Sequence, residues 1–230
     1  MSPEDPFAVI ARHLPERSGP GRGRPVSCYV ALGDSFTAGT GCEEGERWAD
    51  RLAAALRARY PGLTYRNFAQ HGATTEAVSE QVGPAIQLEP DLVTLICGAN
   101  DVLQSVRPNA DASAAALAEI LDRLRAALPG VAILTATAPE SWSFLDLGPR
   151  TQARVRGGIE RLNVAIKEVC ERRGVPCLDV TGHPGLDDAS NFAPDGLHPS
   201  ADGHRRASVE IARACRDSFG IDSELTWREP

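Results

Sequence analysis

From residue 26 onward, short apolar runs alternate with longer stretches in which large apolar side chains recur every three or four positions. The runs at 26–32, 91–97, 131–138 and 175–180, with a weaker one at 63–69, are each under nine residues long. Near-continuous apolar character over so short a length predicts strands buried on both faces. Between them, Trp48, Leu52 and Leu56 recur at intervals of four. Leu117, Leu121, Leu124 and Leu128 alternate steps of four and three, as do Val155, Ile159, Leu162, Ile166 and Val169. Such spacing gathers the large residues on one face of a helix. A last helix is expected over 200–219, with Gly220 as its left-handed stop. Strand and helix in alternation imply an α/β domain, a central parallel sheet of about five strands with helices on both faces.

No repeat and no second core interrupts this pattern. The expected organisation is therefore a tail over 1–25, one catalytic-sized domain over 26–220 and a short C-terminal tail over 221–230. Within the first tail, Asp5-Pro6 is suited to start a short helix carrying Phe7, Ile10 and Leu14. A Gly/Pro/Arg-rich linker follows it.

Composition narrows the function classes. With 31 acidic against 24 basic residues the net charge is −7, which disfavours general binding to phosphate backbones. The longest stretch without a charge, 126–139, has 14 residues, short of the ~18 that read as a membrane span. The first residues are acidic before they are apolar and do not read as a signal peptide. The six cysteines include no CxxC pair and no Cys/His cluster with zinc spacing. Five of them, Cys28, Cys97, Cys170, Cys177 and Cys215, fall on predicted strands or apolar helix faces. They are expected to be buried thiols of a cytoplasmic protein.

In an open parallel sheet, ligands bind beyond the carboxyl ends of the strands, near the point where strand order reverses. The residues that immediately follow each strand therefore carry the most information. GDSFTAG occupies 33–39, NFAQHG 67–72, GAND 98–101 and DGLHP 195–199. Together these blocks can perform nucleophilic acyl transfer. Ser35 needs a base to take its proton, and His198 is the candidate. Asp195, three residues earlier, is placed to turn back, fix the imidazole tautomer and stabilise the imidazolium. The Ser35 and Gly72 N–H groups and the Asn100 side-chain amide are candidate donors to an oxyanion. Asp34 and Asp101 read as structural acceptors. His71 stands either in the pocket wall or in an inert loop, and the other histidines read as bland.

GDSFTAG, NxxxxG, GAND and DGLH, in that order and over about 26–219, resemble the four blocks of the SGNH hydrolases, also called GDSL esterases and lipases. The resemblance implies a flavodoxin-like three-layer α/β/α sandwich. It also implies hydrolysis of ester, thioester or acetyl bonds in a small-molecule substrate, with no cofactor and no metal. By residue it implies Ser35 as nucleophile and oxyanion donor, Gly72 and Asn100 as further donors, and Asp195 with His198 completing a triad. Phe36 stands where many members carry leucine, and His71 is bulkier than the small residue expected before Gly72.

Two other readings use the same residues. An acyltransferase would pass the acyl group to an alcohol or amine instead of water. Alternatively, the Gly/Thr-rich SFTAGTG loop would cradle a phosphate or flavin, although such a binder has no need of Asn100, Asp195 or His198. Finally, the segment 139–149 leaves the sheet at the same edge and carries Trp142, Phe144, Leu145 and Leu147, as either a substrate wall or a loop pinned to the core.

Overall fold

The computed structural model describes residues 25–140 and 144–225. The N-terminal tail, with its expected short helix, and Trp142 lie outside the described residues.

Five strands form one parallel sheet in the order β2-β1-β3-β4-β5. They are β1 (Cys28–Gly33), β2 (Thr64–Asn67), β3 (Leu92–Ile96), β4 (Ala132–Ala136) and β5 (Cys177–Leu178). Each lies within its expected apolar run, apart from Gly33 one residue beyond the first. Cys97, expected inside the third strand, falls just past its end. The helices, in chain order, are α1 (Ser35–Ala38), α2 (Trp48–Arg59), α3 (Thr75–Val78), α4 (Val82–Ile86), α5 (Ala99–Leu103), α6 (Ala110–Ala127), α7 (Pro149–Arg173) and α8 (Ala201–Phe219).

Alternation along each strand builds two cores. Cys28, Val30 and Leu32 of β1, Val93 and Leu95 of β3, and Ile133 of β4 face α6 and α7. Tyr29 and Ala31, Leu92, and Leu134 and Ala136 face α2 and α8. The period-two pattern reads as a continuous apolar run because neither sheet face meets water. The fold is thus the flavodoxin-like three-layer α/β/α sandwich.

Local chemistry starts and stops the long helices. Asn109 caps α6 by accepting from the Ala112 N–H, and the helix ends at Leu128 because Pro129 disfavours helical geometry in the residue before it. Pro149 opens α7 and Gly174, in the left-handed region, closes it. Ser200 caps α8 through the Gly203 N–H, and Gly220 ends that helix with a positive φ. The described chain continues past this stop, and Ile221 is buried against the α2/α8 core.

All six cysteines are free thiols. Cys28, Cys97, Cys170 and Cys215 are buried as expected, whereas Cys177 is only half-buried. It lies in the sheet's last strand, which has a neighbour on one side only.

Strand order places the crevice. From β1 the chain moves to β2 on one side and then crosses back to β3 on the other. The loops after β1 and β3 therefore diverge and leave an opening between them. The loops after β1 and β3 carry Ser35 and Asn100.

Candidate active site

Ser35 is the first residue of the single-turn helix α1. Asp34 caps that turn, its Oδ1 accepting from the Phe36 N–H at 3.0 Å. The preceding Gly33 has φ +148°, and a Cβ there would collide with the Ile96 carbonyl of β3. Only glycine lets the two strand ends approach so closely. A side chain distant in sequence then fixes that glycine. The buried Gln81 amide accepts from the Gly33 N–H and donates to its carbonyl, both at 2.9 Å. This pair of bonds imitates a neighbouring strand and aims the turn carrying Ser35.

Asp34 is fully enclosed. Burial above all, with a smaller push from Asp101, raises its carboxyl to about 7 against the opposing pull of the Phe36 N–H. Asp101 binds the Thr75 N–H and hydroxyl through Oδ2, at 2.8 and 3.1 Å, and Ser113 Oγ through Oδ1 at 2.8 Å. Both residues are hydrogen-bond acceptors that hold loops together, as their position in the sequence suggested.

Asn100 is buried in α5, and its Nδ2 donates to the Ala73 carbonyl at 3.0 Å. A primary amide carries two N–H donors, so this bond orients the group and leaves a second donor. The neighbouring Gly72 has φ +74°. An added Cβ would meet only Gln104 Nε2, at 3.7 Å. Backbone conformation requires glycine here more than any crowding does. The Gly72 carbonyl accepts from Gln104 Nε2 at 2.8 Å.

The 195–198 segment makes its own turn. Asp195 Oδ1 accepts from the Leu197 and His198 N–H groups at 2.9 and 3.0 Å, and Oδ2 lies 2.6 Å from His198 Nδ1. Partial burial raises the Asp195 carboxyl. The His198 ring and the two N–H groups outweigh that effect and hold it at about 2. The carboxylate is therefore ionised at any ordinary pH.

Gly196, with φ +67°, has no room for a Cβ because the Phe144 carbonyl lies directly over it. The Phe144 ring packs on Phe192 with centroids 4.9 Å apart, while Leu145 and Leu147 pack against the α6/α7 core. The described part of segment 139–149 thus acts as a strap across the loop bearing Asp195 and His198. Asn163 secures the start of this segment, pairing with both backbone groups of Ala138 at 2.8 and 2.9 Å.

Ser35, Asn100 and His198 open onto one cavity of about 210 Å³. Among the sequence-derived candidates, these three share its wall and Asp195 stands behind His198. Gly72 sits in the adjoining loop, whose His71 ring lies 5.5 Å from that of His198. Thr40 Oγ1 holds His71 Nδ1 at 2.9 Å. His71 therefore contacts the candidate base and is not an inert loop residue. Sequence reasoning missed Gln81 and Asn163, which carry no local signal because their partners lie 48 and 25 positions away.

Among the described residues, no group of three or more His, Cys, Asp or Glu side chains is placed to hold a metal ion. No helix among them is long and apolar enough to cross a membrane.

Comparison with known proteins adds the family. No curated protein matches the sequence. Similar folds include the psychrotrophic esterase EstA from Pseudoalteromonas sp., at 17% identity and TM-score 0.68, covering 84% of this chain and 99% of that one. LAE5, an α/β hydrolase enzyme from the metagenome of Lake Arreo, has 23% identity and TM-score 0.66, covering 87% and 99%. Axe2, an acetylxylan esterase from Geobacillus stearothermophilus, has 19% identity and TM-score 0.66, covering 90% and 100%. The profile of the GDSL-like lipase/acylhydrolase family matches residues 31–206, a span that takes in all four sequence blocks, and the chain belongs to that family.

Proposed function

We propose that Ser35 is the nucleophile of a double-displacement ester hydrolysis, with His198 as general base and Asp195 as its orienting partner. The observation that carries this reading is the 2.6 Å contact between Asp195 Oδ2 and His198 Nδ1, on a histidine that shares one cavity with Ser35 and Asn100. A carboxylate on Nδ1 leaves Nε2 unprotonated, the tautomer a base requires. Nε2 takes the Ser35 proton as Oγ attacks the ester carbonyl carbon. The resulting imidazolium then protonates the departing alcohol. Water enters by the same route, giving up a proton to His198 as its oxygen attacks the acyl-enzyme; the imidazolium returns that proton to Ser35 Oγ as the acyl–oxygen bond breaks, and the carboxylic acid leaves.

Charge on the tetrahedral intermediate needs fixed donors. The Ser35 N–H is in the first turn of α1 and has no acceptor within the helix, and the Asn100 amide has a donor beyond the one given to Ala73. With the Gly72 N–H they make the proposed oxyanion hole. The substrate is a small-molecule ester, and the chemistry draws on side chains and backbone alone.

The test is covalent labelling with a fluorophosphonate, followed by peptide mapping. The expected adduct is on Ser35 and is lost in Ser35→Ala, which retains the parental circular dichroism spectrum and loses ester turnover. An adduct on another residue overturns the assignment.

A further inference from the structure

The cavity at Ser35 continues inward, past the ends of three neighbouring strands. Ile96 at the end of β3, Ala136 at the end of β4 and Leu178 at the end of β5 all line it. It therefore crosses two interstrand spacings, ~10 Å at the usual ~4.8 Å each. Its far wall is α8, through Ala207 and Ile211. Val180, Leu186 and Phe192 close the sides. Two charged side chains reach this wall, and both are engaged elsewhere. Arg206 pairs with Asp188 at 3.4 Å, and Glu210 with Arg213 at 3.6 Å.

Such walls select by chemistry. Asp34, Thr137, His183 and Asn191 also border the cavity, but most of the lining is apolar, and a sugar or peptide group pushed inside would lose more hydrogen bonds to water than these few groups return. An aliphatic chain loses nothing and removes apolar surface from water. Size sets the length. A cavity of ~150 Å³ lined by Leu, Ile and Phe takes up benzene, with its six carbons. At about 210 Å³, this one has room in proportion for roughly eight carbons.

We propose that this cavity is the acyl subsite, and that the preferred substrates are esters of straight-chain aliphatic acids near octanoate in length, not acetyl esters. The inference rests on Ser35 being the residue that is acylated. It places the acyl wall on β4, β5 and α8. Phe144, Leu145 and Leu147 do not line the cavity, and their role is to hold the catalytic loop.

The experiment measures kcat/KM of the full-length protein on p-nitrophenyl esters from acetate to palmitate. The rate constant is expected to rise about three- to fourfold per added methylene, peak near octanoate and fall by palmitate. Ala207→Trp projects an indole into the cavity, and the octanoate-to-acetate ratio of kcat/KM is expected to drop at least tenfold. Ala207→Leu gives a smaller drop in the same direction and serves if the larger side chain disturbs α8. Fluorophosphonate labelling runs in parallel. Labelling of Ser35 combined with rates that are flat, or greatest for acetate, overturns the acyl subsite and leaves the nucleophile standing. A parental ratio in folded Ala207 variants also overturns it. Labelling away from Ser35 overturns both.

Discussion

At the scale of single residues, the site separates groups that act from groups that aim. Asp195 has both oxygens occupied, Oδ1 by two backbone N–H groups and Oδ2 by the His198 ring. Asp195→Asn keeps the shape but offers Nδ1 an amide that does not stabilise a positive imidazolium. It is expected to fold normally and lower kcat about 10³–10⁴-fold, read from steady-state kinetics with melting temperature as the control. Asn100→Ala removes one proposed oxyanion donor and should cost about 10²–10³ in kcat. Because the oxyanion is absent from the bound ester and develops only on the way to the tetrahedral intermediate, KM should move little. A change confined to KM would make Asn100 a ground-state binding group instead.

Between residues and the whole lies the way elements hold one another. The loop at 195–198, proposed to carry the base and its partner, is short and partly exposed, and its geometry depends on the strap that crosses it. Gly196→Ala introduces a Cβ against the Phe144 carbonyl at a positive φ. The strap and the loop cannot both keep their places. The expected result is a lower melting temperature, from a destabilisation larger than the ~1–2 kcal/mol that a left-handed alanine costs alone. A fall in kcat should accompany it as His198 shifts, while fluorophosphonate still finds Ser35 more slowly. Parental melting and parental kcat together would show that the strap is dispensable.

For the molecule as a whole, two buried ionisable groups oppose each other in acid. Burial drives the His204 imidazole down to about 4, helped by Arg51 and Arg47. It drives the Asp34 carboxyl up to about 7. Unfolded, the same groups titrate near ~6.5 and ~3.9. Between about pH 4 and 6.5 the unfolded chain holds the His204 proton and the native chain does not, so this group favours folding as pH rises. Over the same window the native chain holds the Asp34 proton and the unfolded chain does not. That contribution has the opposite sign. The two nearly cancel, and stability set by this pair should be flat from about pH 4 to 6.5. Single replacements expose the slopes. His204→Gln should make the protein lose stability as pH rises through this window, and Asp34→Asn should make it gain. Denaturant midpoints at several pH values read both. Parallel pH profiles in the two variants would contradict the opposition. Below about pH 4, protonation of Asp195 toward its value of about 2 removes the carboxylate charge that holds the loop's N–H groups and ring, and adds to acid unfolding.

Periodicity along the chain determined the layers, because a strand's alternation and a helix's three-four spacing are properties of neighbouring residues. The placement of GDS, NxxxxG, GAND and DGLH after strands likewise determined which side chains meet, since a parallel sheet brings all carboxyl ends to one edge. The Asp195–His198 contact spans three residues and was therefore legible as a turn. What holds these groups was not legible. Gln81 reaches Gly33 over 48 positions, Asn163 reaches Ala138 over 25, and Phe144 lies on Gly196. Each contact depends on how layers stack, and no local pattern encodes it. The same holds for the cavity. The segment 139–149 reads from sequence as either a substrate wall or a loop pinned to the core; among its described residues Leu145 and Leu147 pack on the α6/α7 core and Phe144 on Phe192, while Pro139 borders the cavity. Much of the inner lining comes from the ends of β3, β4 and β5 and from α8, whose apolar residues read as ordinary core. A strand end that faces a helix and one that faces a void have the same sequence pattern. Only the distance between packed elements decides which it is.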